Sequence, residues 1–360
     1  MKRFPIAAVM AAFFVSLVWF VSIRQAVLFL VGVGLGGFLA GTRFGFTTGW
    51  RRLIEHRDPR GVMAQLLLLA VAAALSMPLL AKFPELGAAL GPPSFSLLIG
   101  AFVFGLSMQI ADGCGSGTLY KAGLGIPLNM AILPLFAAGS FFGSAQLNSW
   151  LDLGSLKPFG LVAQFGPLEA FGITCLGLIA FGWAALRWSG RSASWFDRRL
   201  CIGAIGLAVL AALNLLIAGQ PWGIVYGFGL WGAKEATALG AFNPLANHFW
   251  SEPGNLERLS QSVFLDVTSI TNIGILAGAL FISARKLPTQ ALAAPLTGVQ
   301  WTVGLIAGFL MGYSSRLAFG CNIGAMVSGI STGSVHGWIW VPMAFGGTLI
   351  GVRVRRYLKF

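Results

Sequence analysis

Charge is scarce in this chain. Only 10% of its 360 residues are Asp, Glu, Lys or Arg, against roughly a quarter in an average soluble domain, which is too little to clothe a water-facing surface. Acidic side chains are the rarer kind, 11 against 24 basic ones, giving a formal net charge of +13. An excess of that size points to nucleic acid where basic residues interleave with aromatics on a soluble face. Here the basic residues lie between apolar runs, so no nucleic-acid partner is expected. The four cysteines form no Cys-x-x-Cys pair and none stands beside a histidine at ligand spacing, which argues against a zinc site or a dithiol redox motif. His56, His248 and His336 are scattered. No Gly-Lys pair occurs, hence no Walker A loop and no ATP drive within this chain. Neither a metal nor a cofactor is expected.

Apolar runs fill the space that charge leaves. A helix needs about 17 to 25 residues to cross a bilayer core, and nine stretches reach that range: 5–22, 62–81, 94–110, 124–147, 168–188, 200–218, 264–284, 295–317 and 333–352. The expected fold is an all-α polytopic membrane protein with about nine transmembrane helices, supplemented by short re-entrant helices. The basic start, Lys2-Arg3, resembles a signal peptide but lacks a small-residue cleavage site before Arg24, so a retained helix is expected. Cytoplasmic loops carry excess Lys and Arg. Three loops qualify: Arg51, Arg52, Arg57 and Arg60; Arg187, Arg191, Arg198 and Arg199; Arg353, Arg355, Arg356 and Lys359. All three, and with them the C-terminus, are expected in the cytoplasm.

The chain repeats itself in part. Gly105-Leu-Ser-Met-Gln-Ile-Ala-Asp-Gly-Cys-Gly-Ser-Gly117 aligns without a gap on Gly312-Tyr-Ser-Ser-Arg-Leu-Ala-Phe-Gly-Cys-Asn-Ile-Gly324, at a constant offset of 207. The basic loops, with Arg285-Lys286 at the end of the span at 264, make the span before Cys114 run inward and the span before Cys321 run outward. That is an inverted-topology repeat, common in transporter folds. The single membrane domain, 1–360, accordingly divides into a first half over 1–165, a connecting span and loop over 166–199, and a second half over 200–360. Two Gly-rich stretches, 32–49 and 219–232, follow a full span in each half. Both are expected to be re-entrant, since a crossing at 27–49 would break the match between the span at 5 and the span at 200. The N-terminus is then expected outside.

Gly-rich backbone survives inside a bilayer only where protein or a water-filled cavity satisfies its polar groups. Gly113, Gly115 and Gly117 around Cys114 permit a tight break before a short helix starting near Thr118, and Gly320, Asn322 and Gly324 around Cys321 offer the same from the other side. Free N–H groups at such helix starts attract anions. A thiol adds a soft, polarizable group with a weak donor, suited to an anion bearing a soft sulfur, for which thiosulfate is the fit. Cys175 and Cys201 lack that setting and are expected to be packed side chains. Lys121, Arg316, Lys234 and Arg43 lie near the breaks and could concentrate anions or reach to an interface. Asp112 could cap, pair or face a vestibule. Asp266, Ser269 and Asn272 open the span at 264, with Asp266 as a helix cap and Asn272 as a lining group.

Three functions are compatible with these residues. One is a permease for a soft sulfur anion with Cys114 and Cys321 at its constriction. Another is a membrane thiol enzyme, a sulfurtransferase or oxidoreductase, which needs a base or a resolving cysteine near its thiolate. The third is a neutral-solute channel, which expects paired Asn-Pro-Ala motifs where only Asn243-Pro244-Leu245 appears.

Four segments resemble the YeeE/YedE family of sulfur transport proteins: Asp112-Gly-Cys-Gly-Ser-Gly-Thr-Leu-Tyr-Lys-Ala-Gly123, Leu310-Met-Gly-Tyr-Ser-Ser-Arg-Leu-Ala-Phe-Gly-Cys-Asn-Ile-Gly324, Trp231-Gly-Ala-Lys234 and Asp266-Val-Thr-Ser-Ile-Thr-Asn-Ile-Gly274. The resemblance implies a bacterial inner-membrane transporter of hourglass shape and not an enzyme. Thiosulfate would pass between the thiols of Cys114 and Cys321 by S–H···S contacts, without covalent chemistry. A small cytoplasmic sulfur-carrier protein is the implied partner, beside the surrounding membrane lipid. A third family thiol commonly follows an Arg-aromatic pair; after Arg43-Phe44 this sequence has Gly45, so the family's three-thiol relay is incomplete here.

Overall fold

The computed structural model describes residues 3–190, 194–284 and 296–360. Lys2, Arg191, Arg285, Lys286 and the start of the span at 295 lie outside them. Within the described residues the chain is all-helical: α1 (Arg3–Phe20), α2 (Ile23–Thr42), α3 (Phe46–His56), α4 (Arg60–Lys82), α5 (Phe95–Ile110), α6 (Gly115–Gly123), α7 (Pro127–Ala145), α8 (Leu147–Leu151), α9 (Leu161–Phe165), α10 (Pro167–Ser189), α11 (Arg198–Ala218), α12 (Val225–Ala238), α13 (Pro253–Ser260), α14 (Val267–Ser283), α15 (Gly298–Leu317), a π-helical segment (Asn322–Gly329) and α16 (Val335–Tyr357). Eight stretches among the described residues are long and apolar enough to cross a membrane, beside two shorter apolar helices, Phe4–Phe20 and Val267–Ser283. Three of the eight, Ile23–His56, Phe95–Gly123 and Gly298–Gly329, run through a break into a short second helix.

The first Gly-rich stretch departs from expectation. Residues 23–42 form one continuous helix, capped by Ser22, whose hydroxyl accepts the Gln25 N–H, and ended by Arg43 in the left-handed region. Gly32 and Gly36 form a packing face. A Cβ on Gly36 would lie 2.1 Å from the Ile275 carbonyl oxygen, and one on Gly278 of α14 would lie 2.1 Å from the Val33 oxygen. Small residues four apart let two backbones touch, so the glycines join α2 to α14 and do not break α2. The break falls later, at Phe44-Gly45 before α3. In the second stretch the expected short helix is present, as α12 begins after irregular backbone at 219–224.

The same device joins two more parallel pairs. Gly105 of α5 meets the Ala344 backbone of α16 and Gly347 meets Phe102, while Gly312 of α15 meets the Phe136 backbone of α7 and Gly139 meets Phe309. Other neighbours are antiparallel. Arg24, at the start of α2, donates to the carbonyls of Ile217 and Ala218 at the end of α11, both at 2.8 Å. Ser96, at the start of α5, donates to the Leu317 carbonyl at the end of α15 at 2.8 Å. The helix that runs opposite to α11 is therefore α2, and α1 stands outside that pairing.

The basic loops meet at one end of the molecule. Arg51 and Arg355 share Asp112, Arg356 pairs with Glu55, and Arg57 donates to the Trp188 carbonyl at 3.0 Å. Asp266 caps α14 as expected, accepting the Ser269 N–H at 2.7 Å.

Candidate functional site

The two Gly-Cys loops have one backbone pattern, written twice. Ala111 and Ala318 donate to Ser107 and Ser314; Gly113 and Gly320 donate to Met108 and Ser315; Thr118 and Ala325 donate to Cys114 and Cys321. Asp112 (φ 51°) and Phe319 (φ 57°) both adopt the left-handed conformation, uncommon away from glycine. That turn ends α5 and α15 and redirects the chain into the short element that follows. Gly113 and Gly320 are required at the turn, because a Cβ would lie 2.8 Å from the Thr118 nitrogen in one and 2.4 Å from the Ala325 nitrogen in the other. Cys114 then caps α6 and Cys321 caps the π-helical segment, both in extended conformation.

The loops also touch. A Cβ on Gly115 would lie 3.1 Å from the Cys321 sulfur and 3.5 Å from the Phe136 ring, and one on Gly117 would lie 3.5 Å from the Cys114 sulfur. The Cys114 Sγ is 3.4 Å from the Ser116 hydroxyl, and the Cys321 Sγ accepts the Ile323 N–H at 3.4 Å. Cys114 lines a narrow pocket with Phe44, Gly45, Thr47, Asp112, Gly113, Gly117, Tyr120 and Lys121. Cys321 is fully buried behind Gly115. Buried polar atoms without a protein partner occur at these loops: Thr118 Oγ1 against Gly113, and both amide atoms of Asn322 beside Cys321. Such atoms cost about 1–3 kcal/mol each when left unpaired, and a transient polar occupant would satisfy them.

Among the sequence-identified cations, Lys121 reaches the pocket. It donates to both the carboxylate and the carbonyl of Asp112, whose carboxylate also takes Arg51 at 3.0 Å and Arg355 at 3.3 Å. One carboxylate held by three cations leaves the pocket rim net positive. Arg316 lies elsewhere, its guanidinium over the rings of Tyr226 and Phe249. Lys234 is tied to the carbonyls of Leu259 and Gln261 at 2.6 and 2.5 Å. Arg43 is exposed. Asn272 is buried and donates to the Ile224 carbonyl at the start of α12 at 2.9 Å. Gly324 is partly open. Cys175 and Cys201 are half-buried on α10 and α11, outside this site.

Several site residues went unrecognised in the sequence. Gln65 of α4 donates to the carbonyls of Gly45 and Phe46 and accepts the Trp50 N–H, holding the break before α3 as Asn272 holds the one before α12. The offset of 207 that relates the Gly-Cys loops also relates Gln65 to Asn272, so extending the alignment upstream would have found it. Thr47, Arg51 and Arg355 carry no such signal, because distant segments bring them to Asp112 and Cys114.

A multi-pass helical bundle with two matched breaks meeting at buried thiols is the architecture of a membrane transporter, and the chain belongs to the sulphur transport family, whose model matches residues 41–350. Two thiosulfate transporters named TsuA are similar along nearly their whole length. That of Spirochaeta thermophila is 26% identical over 332 residues, 86% of this chain and 92% of that protein. That of Escherichia coli is 25% identical over 356 residues, 92% and 93% of the two chains. The probable transporter YedE of Escherichia coli matches a shorter part, 24% identical over 149 residues, 41% of this chain and 36% of its own.

Proposed function

We propose that the protein imports thiosulfate, or an anion with the same soft terminal sulfur, through a constriction between Cys114 and Cys321, and that it acts as a permease and not as an enzyme. The observation that carries this reading is the contact of two like-built Gly-Cys loops, with Gly115 against the Cys321 sulfur. Each thiol stays protonated and offers a weak S–H donor to the passing sulfur, while amides at the starts of α6 and the π-helical segment stabilise the oxygens. The likeness to two named thiosulfate transporters supports the substrate. The excess of cations around Asp112 would draw the anion onward from Cys114.

The matched helix pairs support an inverted two-fold relation between the halves, in which α2 answers to α11, α3 to α12, α4 to α14, α5 to α15 and α7 to α16. In this reading the molecule is an hourglass with its waist at the thiols, a shape that fits that relation. The excess of Arg and Lys would, on the same reading, turn the basic end, and the C-terminus with it, to the cytoplasm of a bacterial inner membrane. With α2 crossing, the N-terminus is inside too. A cytoplasmic sulfur-carrier protein would receive the anion at this end.

The test is uptake of labelled thiosulfate by proteoliposomes, with sulfate and selenite as competitors. Cys114→Ser preserves size but hardens the donor, and uptake is expected to fall by at least about tenfold, the equivalent of about 1.4 kcal/mol. Undiminished uptake by that variant would sink the thiol mechanism. A persulfide trapped on Cys114 during turnover would instead favour an enzyme.

A further inference from the structure

A slot of about 300 Å³ runs between α4, α10 and α16, and its walls are almost wholly apolar. Leu66 and Leu178 face it from α4 and α10, and Phe181 and Trp338, stacked with ring centroids 5.9 Å apart, bridge α10 to α16 beside it. Its inner wall belongs to the short elements of the site. Trp50 of α3 and Met326 and Ile330 at the π-helical segment all line it. Trp188 lines the slot at the end of α10 that carries the basic residues. The Arg57 guanidinium stands 4.9 Å from the Trp188 ring centroid and donates to the Trp188 carbonyl.

Arg57, like Arg52 of α3, has no ion pair among the described residues, and it is the one that stands over Trp188. Arg60 is held by both oxygens of Asp58 and Arg356 by Glu55, whereas among the described residues no carboxylate pairs with Arg57. An apolar slot at membrane depth with an unpaired, exposed guanidinium at its rim matches a molecule with an aliphatic chain and an anionic head. We propose that the slot holds one acyl chain of an anionic phospholipid, whose phosphate is bound by Arg57. The chain would brace α3 and the π-helical segment from behind, holding both breaks against the thiols. A zwitterionic lipid would fill the walls equally well, but the cation of its own headgroup competes with Arg57 for the phosphate, so preference for a net negative headgroup is the signature of the site.

The experiment uses the full-length protein, stripped of lipid in detergent and then titrated with phosphatidylglycerol or phosphatidylcholine of identical chains, with bound lipid counted by native mass spectrometry and Tm followed in parallel. Phosphatidylglycerol is expected to bind more tightly and raise Tm further. Arg57→Gln is expected to weaken phosphatidylglycerol about fivefold, the worth of one cation near a lipid headgroup, and to weaken phosphatidylcholine less, so that the preference between the two narrows. Ala184→Phe, which fills the slot from α10, is expected to reduce binding of both lipids while leaving the lipid-free Tm at or above that of the parent, which shows the variant folded. Equal affinity for the two lipids, or an Arg57→Gln variant with undiminished phosphatidylglycerol preference, would overturn the headgroup assignment. Full lipid retention in the slot-filled variant would overturn the slot itself. No readout depends on thiosulfate uptake, so the two proposals stand or fall separately.

Discussion

At Gly115 a single missing methyl group decides whether two loops can meet. The position faces the Cys321 sulfur at 3.1 Å and Phe136 at 3.5 Å, so Gly115→Ala inserts a methyl between the thiol-bearing loops. Overpacking of that kind costs about 1–3 kcal/mol. If it falls on the conducting conformation, thiosulfate flux should drop by about tenfold or more, with little change in the Tm of the purified protein. Flux equal to the parent's would mean that the constriction lies elsewhere. Gly115 was legible as part of the motif, since the Gly-Cys pattern occurs twice in register. Its contact partner was not: nothing in the spacing says that the second sulfur comes to rest against this glycine. Asp112 shows the same limit. Its awkward charge beside Cys114 is resolved by Arg51 and Arg355, brought from opposite ends of the chain.

Helices were legible by length and hydropathy, and their glycines were not. Glycine serves both to break a helix and to let two helices touch, and composition alone does not separate these uses. Spacing does not either, since Gly113 and Gly117 of a break stand four apart just as Gly32 and Gly36 or Gly274 and Gly278 do; what marks the last four is that each faces the partner's backbone. Gly278→Leu would drive a side chain into the Val33 carbonyl, 2.1 Å from the Cβ position. No rotamer relieves a clash with backbone, and the expected cost is about 3 kcal/mol, read as a fall in Tm and in folded yield. Gly37, with nothing within 4 Å of its Cβ position, is the control, and Gly37→Leu should leave Tm near that of the parent. Equal losses from both would remove the packing-face explanation. The polar braces give a second comparison. Gln65→Leu orphans the Trp50 indole N–H and takes a second donor from the carbonyl of Gly45, which keeps the Gly49 N–H, while Asn272→Leu orphans the Ile224 carbonyl. At about 1–3 kcal/mol for each buried group left unpaired, the two variants should lose similar stability, and both should impair uptake if the two breaks act as a pair. A Gln65→Leu protein with normal Tm and uptake would contradict that role.

For the molecule as a whole, one misread helix carries a consequence for topology. With 27–49 taken as re-entrant, α1 was matched to α11 and the N-terminus fell on the side opposite the basic loops. The contacts of Arg24 with Ile217 and Ala218 make α2 the antiparallel neighbour of α11 instead. If α2 crosses, as proposed above, one more crossing separates the N-terminus from that assignment and puts it on the side where basic residues are favoured. Protease-cleavable tags at the N-terminus, at the C-terminus and at Leu156 distinguish the two arrangements. Leu156 is well exposed between α8 and α9, on the side that α7 reaches after leaving the basic end. The two terminal tags should be protected in spheroplasts and cut in inverted vesicles, and the tag at Leu156 should show the reverse. Cleavage of the N-terminal tag in spheroplasts, with the C-terminal tag protected, would mean that α1 and α2 do not both cross. The pairing of α2 with α11 as inverted counterparts would then fail, while the match between the two Gly-Cys loops, which rests on α5 and α15, would survive.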